Sequence, residues 1–204
     1  VWAGTFHSFG LEILKREYKK ADLPERFGVI GSSDAQGILK DLVGEHHDYE
    51  KQRLNHELLM NKISDFRSRG RLSAHDKLPE SIAAEILAPK YRRRLKALGV
   101  VDFDELLNRP LELMQDAEFL KRIQDRFDYV MVDEFQDTNT VQMKLVDQIS
   151  GGHQNLAVVG DDDQSIYGWR GAEIQNILNF PKRYKTCEVI RLERNYRSTS
   201  HILN

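Results

Sequence analysis

Tyr129-Val130-Met131-Val132 runs without a break into Asp133-Glu134-Phe135-Gln136-Asp137. Four residues that are apolar on both faces of an extended chain belong in a strand buried from both sides, as in parallel sheets. Leu156-Ala157-Val158-Val159 and Val189-Ile190-Arg191-Leu192 repeat the pattern, and helical segments at 139–149 and 172–180 separate the three runs. Strands alternating with helices predict an α/β fold with a parallel sheet flanked by helices. Ligands in such folds bind at the carboxyl ends of the strands. The polar clusters that close the three runs are therefore the candidate site.

The first cluster places Asp133 and Glu134 side by side at a strand end. A hard cation such as Mg²⁺ takes a carboxylate oxygen, usually through its water shell, and a neighbouring carboxylate can orient or deprotonate an attacking water. A solvated turn with acids near a helix N-terminus would look the same. The second cluster is Gly160-Asp161-Asp162-Asp163-Gln164-Ser165-Ile166-Tyr167-Gly168-Trp169-Arg170-Gly171. Three consecutive aspartates repel one another and call for a cation or donors nearby. Gln164 suits the sensing of a terminal phosphate, while Tyr167, Trp169 and Arg170 suit base stacking and phosphate pairing. Trp169 could equally be a core anchor. The third cluster, Glu193-Arg194-Asn195-Tyr196-Arg197-Ser198-Thr199, is expected to lead from strand into helix. Arg197 could stabilise charge on a γ-phosphate and Tyr196 could stack on a base, or both could be ordinary surface residues.

Upstream the pattern is helical. His7–Lys19 carries Phe9, Ile13, Leu14 and Tyr18 at helical spacing, and Pro24–Ile30 is short and extended. Ser32, Ser33 and Asp34 offer caps for a helix through Val43. Residues 50–98 read as helical throughout, with breaks expected at Pro79 and Pro89. Asp102 and Glu105 have capping-box spacing ahead of Leu106, Leu107 and Leu111. The chain opens on Val1-Trp2-Ala3-Gly4-Thr5-Phe6, which reads as the end of a buried strand and suggests a piece of a longer protein.

The whole chain has 204 residues, 40% apolar and 30% charged, which is enough for one good-sized domain or a domain with an insertion. A mean hydropathy of −0.55 argues against a membrane protein. No apolar run approaches a membrane span. One cysteine, Cys187, excludes an internal disulfide framework and a Cys-rich zinc site, and fits a reducing, cytoplasmic setting. The net charge of −2 hides a split: residues 1–100 carry 18 Lys/Arg against 14 Asp/Glu, whereas residues 101–204 carry 12 against 18. Ten basic and four acidic residues fall within 62–96. Such asymmetry allows a nucleic-acid-facing surface beside an acidic, metal-binding one.

No Gly-Lys dipeptide occurs anywhere, so the glycine-rich phosphate cradle of a P-loop is not in these residues. Taken together, Gly4-Thr5-Phe6-His7-Ser8-Phe9, Val132 to Asn139, Val159 to Ala172, and Leu192 to Thr199 resemble, in order, motifs of the UvrD/Rep/PcrA-type superfamily 1 DNA helicases. Asp102-Phe103-Asp104-Glu105-Leu106 resembles the point where that family's chain returns from its helical insertion.

The resemblance implies a partial RecA-like (P-loop NTPase) sheet at 1–32 and 101–204, lacking its Walker A region, with an all-helical subdomain inserted at 33–100. It implies ATP and Mg²⁺, Asp133 on the metal, and Glu134 as general base. Gln164 and Arg197 would contact the γ-phosphate, with Tyr196 on the adenine. Thr5, His7, Tyr167, Trp169 and Arg170 would face single-stranded DNA. The second RecA-like domain would be the missing partner, movement would run 3′ to 5′, and this piece alone would be inactive. Two rival expectations remain: the motor of a recombination helicase-nuclease, and a nucleic-acid- or protein-binding module without turnover.

Overall fold

Thr5 sets the first element. Its side chain accepts a hydrogen bond from the Ser8 backbone N–H, capping helix α1 (Phe6–Arg16). The opening residues are therefore not a strand. Trp2 folds back instead, donating from its indole to Glu12 at 2.6 Å and meeting the Phe9 ring edge-on at 5.2 Å. The computed structural model describes all residues except 47, 48, 50–52, 71, 73–75, 169, 170, 200 and 202–204.

Beyond α1 the chain forms β1 (Gly28–Val29), α2 (Ser32–Gly44), α3 (His56–Arg69), α4 (Pro79–Leu98) and β2 (Val100–Val101). There follow α5 (Glu105–Leu113), α6 (Ala117–Gln124), β3 (Val130–Val132), α7 (Thr140–Ser150), β4 (Leu156–Val158), α8 (Gln175–Leu178) and α9 (Phe180–Arg183). The strands form two separate parallel pairs, β1 with β2 and β3 with β4, rather than one sheet. The first pair joins the two ends of the helical stretch: Gly28 lies opposite Val100 and Val29 opposite Val101.

Helices α2 to α4 enclose a core of their own, including Leu39, Leu59, Ile63, Leu87, Tyr91 and Leu95. Gly31, without a side-chain hydrogen bond, caps α2 in place of the three residues expected to do so. Pro79 opens α4, where no backbone bond is lost. Pro89 does not break the helix as expected. An interior proline costs about 3 kcal/mol or more, but Leu87, Tyr91 and Leu95 are fully buried around it. At roughly 1.5–3 kcal/mol each, these side chains outweigh the proline.

The remaining helices pack beside the second strand pair. Gly10 lets α1 approach α5 so closely that a Cβ there would lie 1.7 Å from the Leu106 carbonyl oxygen. On one face of β3–β4, Val130, Val132, Leu156 and Val158 join Phe135, Val146 and Phe180 in a core cluster. The other face is open, which corrects the expected coverage on both sides: Met131 stays 77% exposed opposite Ala157, also exposed. The third expected strand also fails to form. Residues 189–192 are irregular, with Val189, Ile190 and Leu192 exposed. Strand propensity reflects packing on a sheet surface, and none of the described strands pairs with this run. The helix expected at 172–180 is two short ones, α8 and α9.

Candidate functional site

Strand β3 ends at Val132 and delivers Asp133 and Glu134 to the surface. Asp133 Oδ1 accepts the Glu134 N–H at 2.9 Å. Glu134 adopts a left-handed backbone, φ 51° and ψ 42°, before a 3₁₀ turn over Phe135–Asp137. A non-glycine residue in that region costs about 1–3 kcal/mol, and such strain concentrates at functional sites. The turn is over-determined by its surroundings. Phe135 is fully buried, and its N–H donates to the Val159 carbonyl at 2.9 Å. Asn139 then caps α7 in a complete capping box with Gln142.

The loop after β4 closes on this turn. Gln136, only 1% exposed, donates from Nε2 to Glu134 Oε2 at 2.8 Å and accepts the Asp161 N–H on Oε1 at 3.1 Å. Asp161 in turn accepts the Asp163 N–H at 3.1 Å and the Gln164 side-chain amide at 2.6 Å. Three consecutive aspartates are thus relieved partly by internal donors. Thr138 stitches the far side of the turn: its carbonyl accepts from the Glu173 N–H at 3.0 Å and from the Asn176 side chain at 2.9 Å. The Glu173 carboxylate accepts from Thr140 and from Arg69 of α3, both at 2.8 Å, so the helical region touches the same loop.

Asp133, Glu134 and Gln164 are therefore brought together, by contacts through Gln136 and Asp161. Tyr167 lies three residues beyond Gln164 and is partly exposed, while Trp169 and Arg170 lie outside the described residues. No described contact ties Tyr196 or Arg197 to the acidic turns. Tyr196 is exposed under the Arg194 guanidinium at 5.0 Å, and the Arg197 N–H donates to Asn195 at 2.8 Å. Asn195 also accepts the Ser198 N–H at 2.9 Å, a helix-start geometry. At the amino end, Thr5 is occupied as a cap, and His7 packs edge-on against Phe103 at 5.5 Å. Burial pushes the His7 imidazole below its usual value, favouring the neutral ring.

Sequence reasoning missed Gln136, Thr138, Gly160 and Glu173 as parts of this site. Gln136 stood inside the quoted motif, but nothing in its spacing distinguished a buried bridge from an exposed amide. A 680 Å³ cavity at the root of the helical region is lined by Lys20, Arg92, Lys96 and Arg109 among others, and by no residue of these loops. Four of its cations are paired: Lys20 with Asp116, Lys96 with Asp22, Arg92 with Glu112 and Arg109 with Glu105.

The donor set fits Mg²⁺ held as nucleotide enzymes hold it. Exposed Asp133 offers a carboxylate beside a second one, and such a cation takes one or two carboxylates while waters and phosphates complete the shell. Among the described residues no three His, Cys, Asp or Glu side chains converge into an all-protein cage.

Short parallel strands, helices on a sheet face and acidic turns at strand ends define an α/β protein whose candidate site lies at the carboxyl edge of its strands. The chain belongs to the UvrD/REP helicase N-terminal domain family, whose model matches residues 1–185. It is 36% identical over 211 residues to a Staphylococcus epidermidis protein named ATP-dependent DNA helicase PcrA, covering 100% of this chain. A Staphylococcus aureus protein of the same name is 36% identical over 209 residues, again covering 100% of this chain. The chain spans 28% of the length of each relative. Among the described residues, no helix is long and apolar enough to cross a membrane.

Proposed function

We propose that this chain is part of the first motor domain of an ATP-dependent DNA helicase that moves 3′ to 5′ on single-stranded DNA in the cytoplasm. Residues 1–32 and 101–204 form the nucleotide-facing part and 33–100 an inserted helical subdomain; the second RecA-like domain is the partner that completes the motor. The separate core of α2–α4 and the pairing of Gly28–Val29 with Val100–Val101 support that division.

The observation that carries the reading is the meeting of two strand-end turns, with Glu134 and Gln164 joined through Gln136 and Asp161. Glu134 accepts the proton of the water attacking the terminal phosphorus. A phosphorus–oxygen bond forms to that water oxygen, and the bond to the β-phosphate oxygen breaks, releasing ADP. Mg²⁺, when bound, neutralises developing charge on the phosphates; Asp133 is the residue that would hold it through its shell. Gln164 contacts the γ-phosphate with its amide, Arg197 adds positive charge there, and Tyr196 packs on the adenine. Tyr167, Trp169 and Arg170 hold the strand by stacking and phosphate pairing, with Thr5 and His7 beside them.

Glu134→Gln in the intact protein should lower DNA-stimulated ATP turnover by ~10²–10⁴, the usual scale for a general base. Nucleotide binding, followed by fluorescence titration, should survive. Asp133→Ala should weaken Mg²⁺-dependent binding as well. Normal turnover in Glu134→Gln would refute the assignment.

A further inference from the structure

We infer that Gln136 is a positioning residue that holds the Glu134 carboxylate and ties it to the Asp161–Gln164 turn. The inference rests on the proposed role of Glu134 as base. A continuous chain of hydrogen bonds carries it: Gln136 Nε2 to Glu134 Oε2 at 2.8 Å, Asp161 N–H to Gln136 Oε1 at 3.1 Å, and Gln164 Nε2 to Asp161 Oδ2 at 2.6 Å. Glu134 and Gln164 are both exposed, whereas the residue between them is sealed in the interior. A buried amide with both ends engaged has one allowed orientation. Rotating it by half a turn would set its oxygen against a carboxylate and its NH₂ against an N–H.

Sequence position fixes the geometry further. Glu134 turns through a left-handed backbone, so its side chain meets that of a residue only two positions on. Gly160 leaves the room for this: a Cβ there would lie 2.5 Å from Gln136 Oε1. A displacement of Asp161, when Gln164 engages or releases a phosphate, pulls directly on the amide that orients the base. Gln136 thereby makes the competence of the base depend on the occupant of the neighbouring turn, without itself touching nucleotide.

The test is a set of variants of the intact protein, assayed for ATP turnover across pH, with Glu134→Gln in parallel. Gln136→Met keeps the shape and removes both bonds. It should lower kcat by ~10–100-fold, the scale of an ångström-level misplacement, while KM for ATP stays within about twofold. Gln136→Glu places a second carboxylate against Glu134. Protonated, it can still donate to Glu134 and accept from Asp161; ionised, it repels the base. Its turnover should therefore fall as pH rises from about 5 to 8, a trend a merely structural residue would not produce. The Glu variant also decides the matter should Gln136→Met fail to fold, because its effect reverses within one folded protein. Inactive Glu134→Gln together with wild-type kcat and pH profiles in the Gln136 variants would overturn this inference alone. Active Glu134→Gln would overturn the base reading beneath it.

Discussion

Gly160 shows how tightly the site is built. A methyl group there would meet Gln136 Oε1 at 2.5 Å, Ile177 Cδ1 at 2.8 Å and the Gln136 nitrogen at 3.2 Å. The first is the engaged end of a buried amide and the third is backbone, so neither can give way without breaking the bridge to Asp161. Gly160→Ala should therefore destabilise the fold by about 1–3 kcal/mol, the range for overpacking a well-filled site. Urea denaturation of the 204-residue chain measures it, and a midpoint unchanged from wild type would mean that Gln136 can move freely. At this scale the sequence was half legible. Asp133, Glu134 and Gln164 announce themselves as polar residues closing apolar runs. Gln136 and Gly160 do not, because their roles depend on the left-handed turn at Glu134, which no spacing rule foretells.

At the scale of elements, the junction between the helical region and the sheet is a cluster of buried charges. Arg67 of α3 binds Asp102 with both terminal nitrogens, at 2.7 and 3.1 Å, and Glu105 at 2.6 Å. Asp104 lies at 3.5 Å from the same guanidinium, and Glu105 also accepts from Arg109. Burial pushes Asp102 up, but the hydrogen bonds and charge of Arg67 outweigh it and hold the carboxyl below the usual aspartate value. Asp104, partly exposed and only 3.5 Å from Arg67, is raised by desolvation, which outweighs the Arg67 charge and a hydrogen bond from Ser64. The two act in opposite senses. Stabilisation from Asp102 is complete above its unfolded value near 3.8 and is lost as pH falls through its lower folded value. The contribution from Asp104 is complete below its unfolded value and is lost as pH rises through its higher folded one. Arg67→Ala leaves Asp102 and Asp104 without their cation, while Glu105 keeps Arg109, and should cost about 3–5 kcal/mol at pH 7. The deficit should shrink toward pH 5 as the two aspartates take up protons. A deficit that stayed constant or grew on acidification, in urea melts at the two pH values, would contradict the cluster's electrostatic origin. The capping-box spacing of Asp102 and Glu105 was readable and half realised: the Glu105 N–H donates to Asp102 at 2.9 Å. Its second half was not legible, because Arg67 and Arg109, 38 and 4 residues away, take the Glu105 carboxylate instead.

For the molecule as a whole, the alternation of strands and helices and the order of the motifs were legible, and they led to the right family. Sheet closure was not, because it depends on partners that periodicity within one run does not name. Met131 of β3 and Ala157 of β4, with Tyr129 just before β3 and Val159 just after β4, alternate with residues packed in the core. They therefore share the opposite face. That face is open, and so are Ile190 and Leu192, at 74% and 86% exposure. Parallel strands are ordinarily covered on both sides, and contiguous apolar surface of this kind drives association. The 204-residue chain in isolation should therefore bind a hydrophobic dye while folded and self-associate at micromolar concentration. Met131→Lys places a charge at the centre of the open face and should reduce both, with thermal stability nearly unchanged because Met131 packs little. Leu98→Lys, at an exposed site at the end of α4, adds the same charge elsewhere and should change neither. Sedimentation velocity and dye fluorescence, run on all three proteins, read the difference. A wild-type chain that stays monomeric and dye-silent, or a Leu98→Lys protein that improves as much as Met131→Lys, would show that net charge rather than the open sheet face controls solubility.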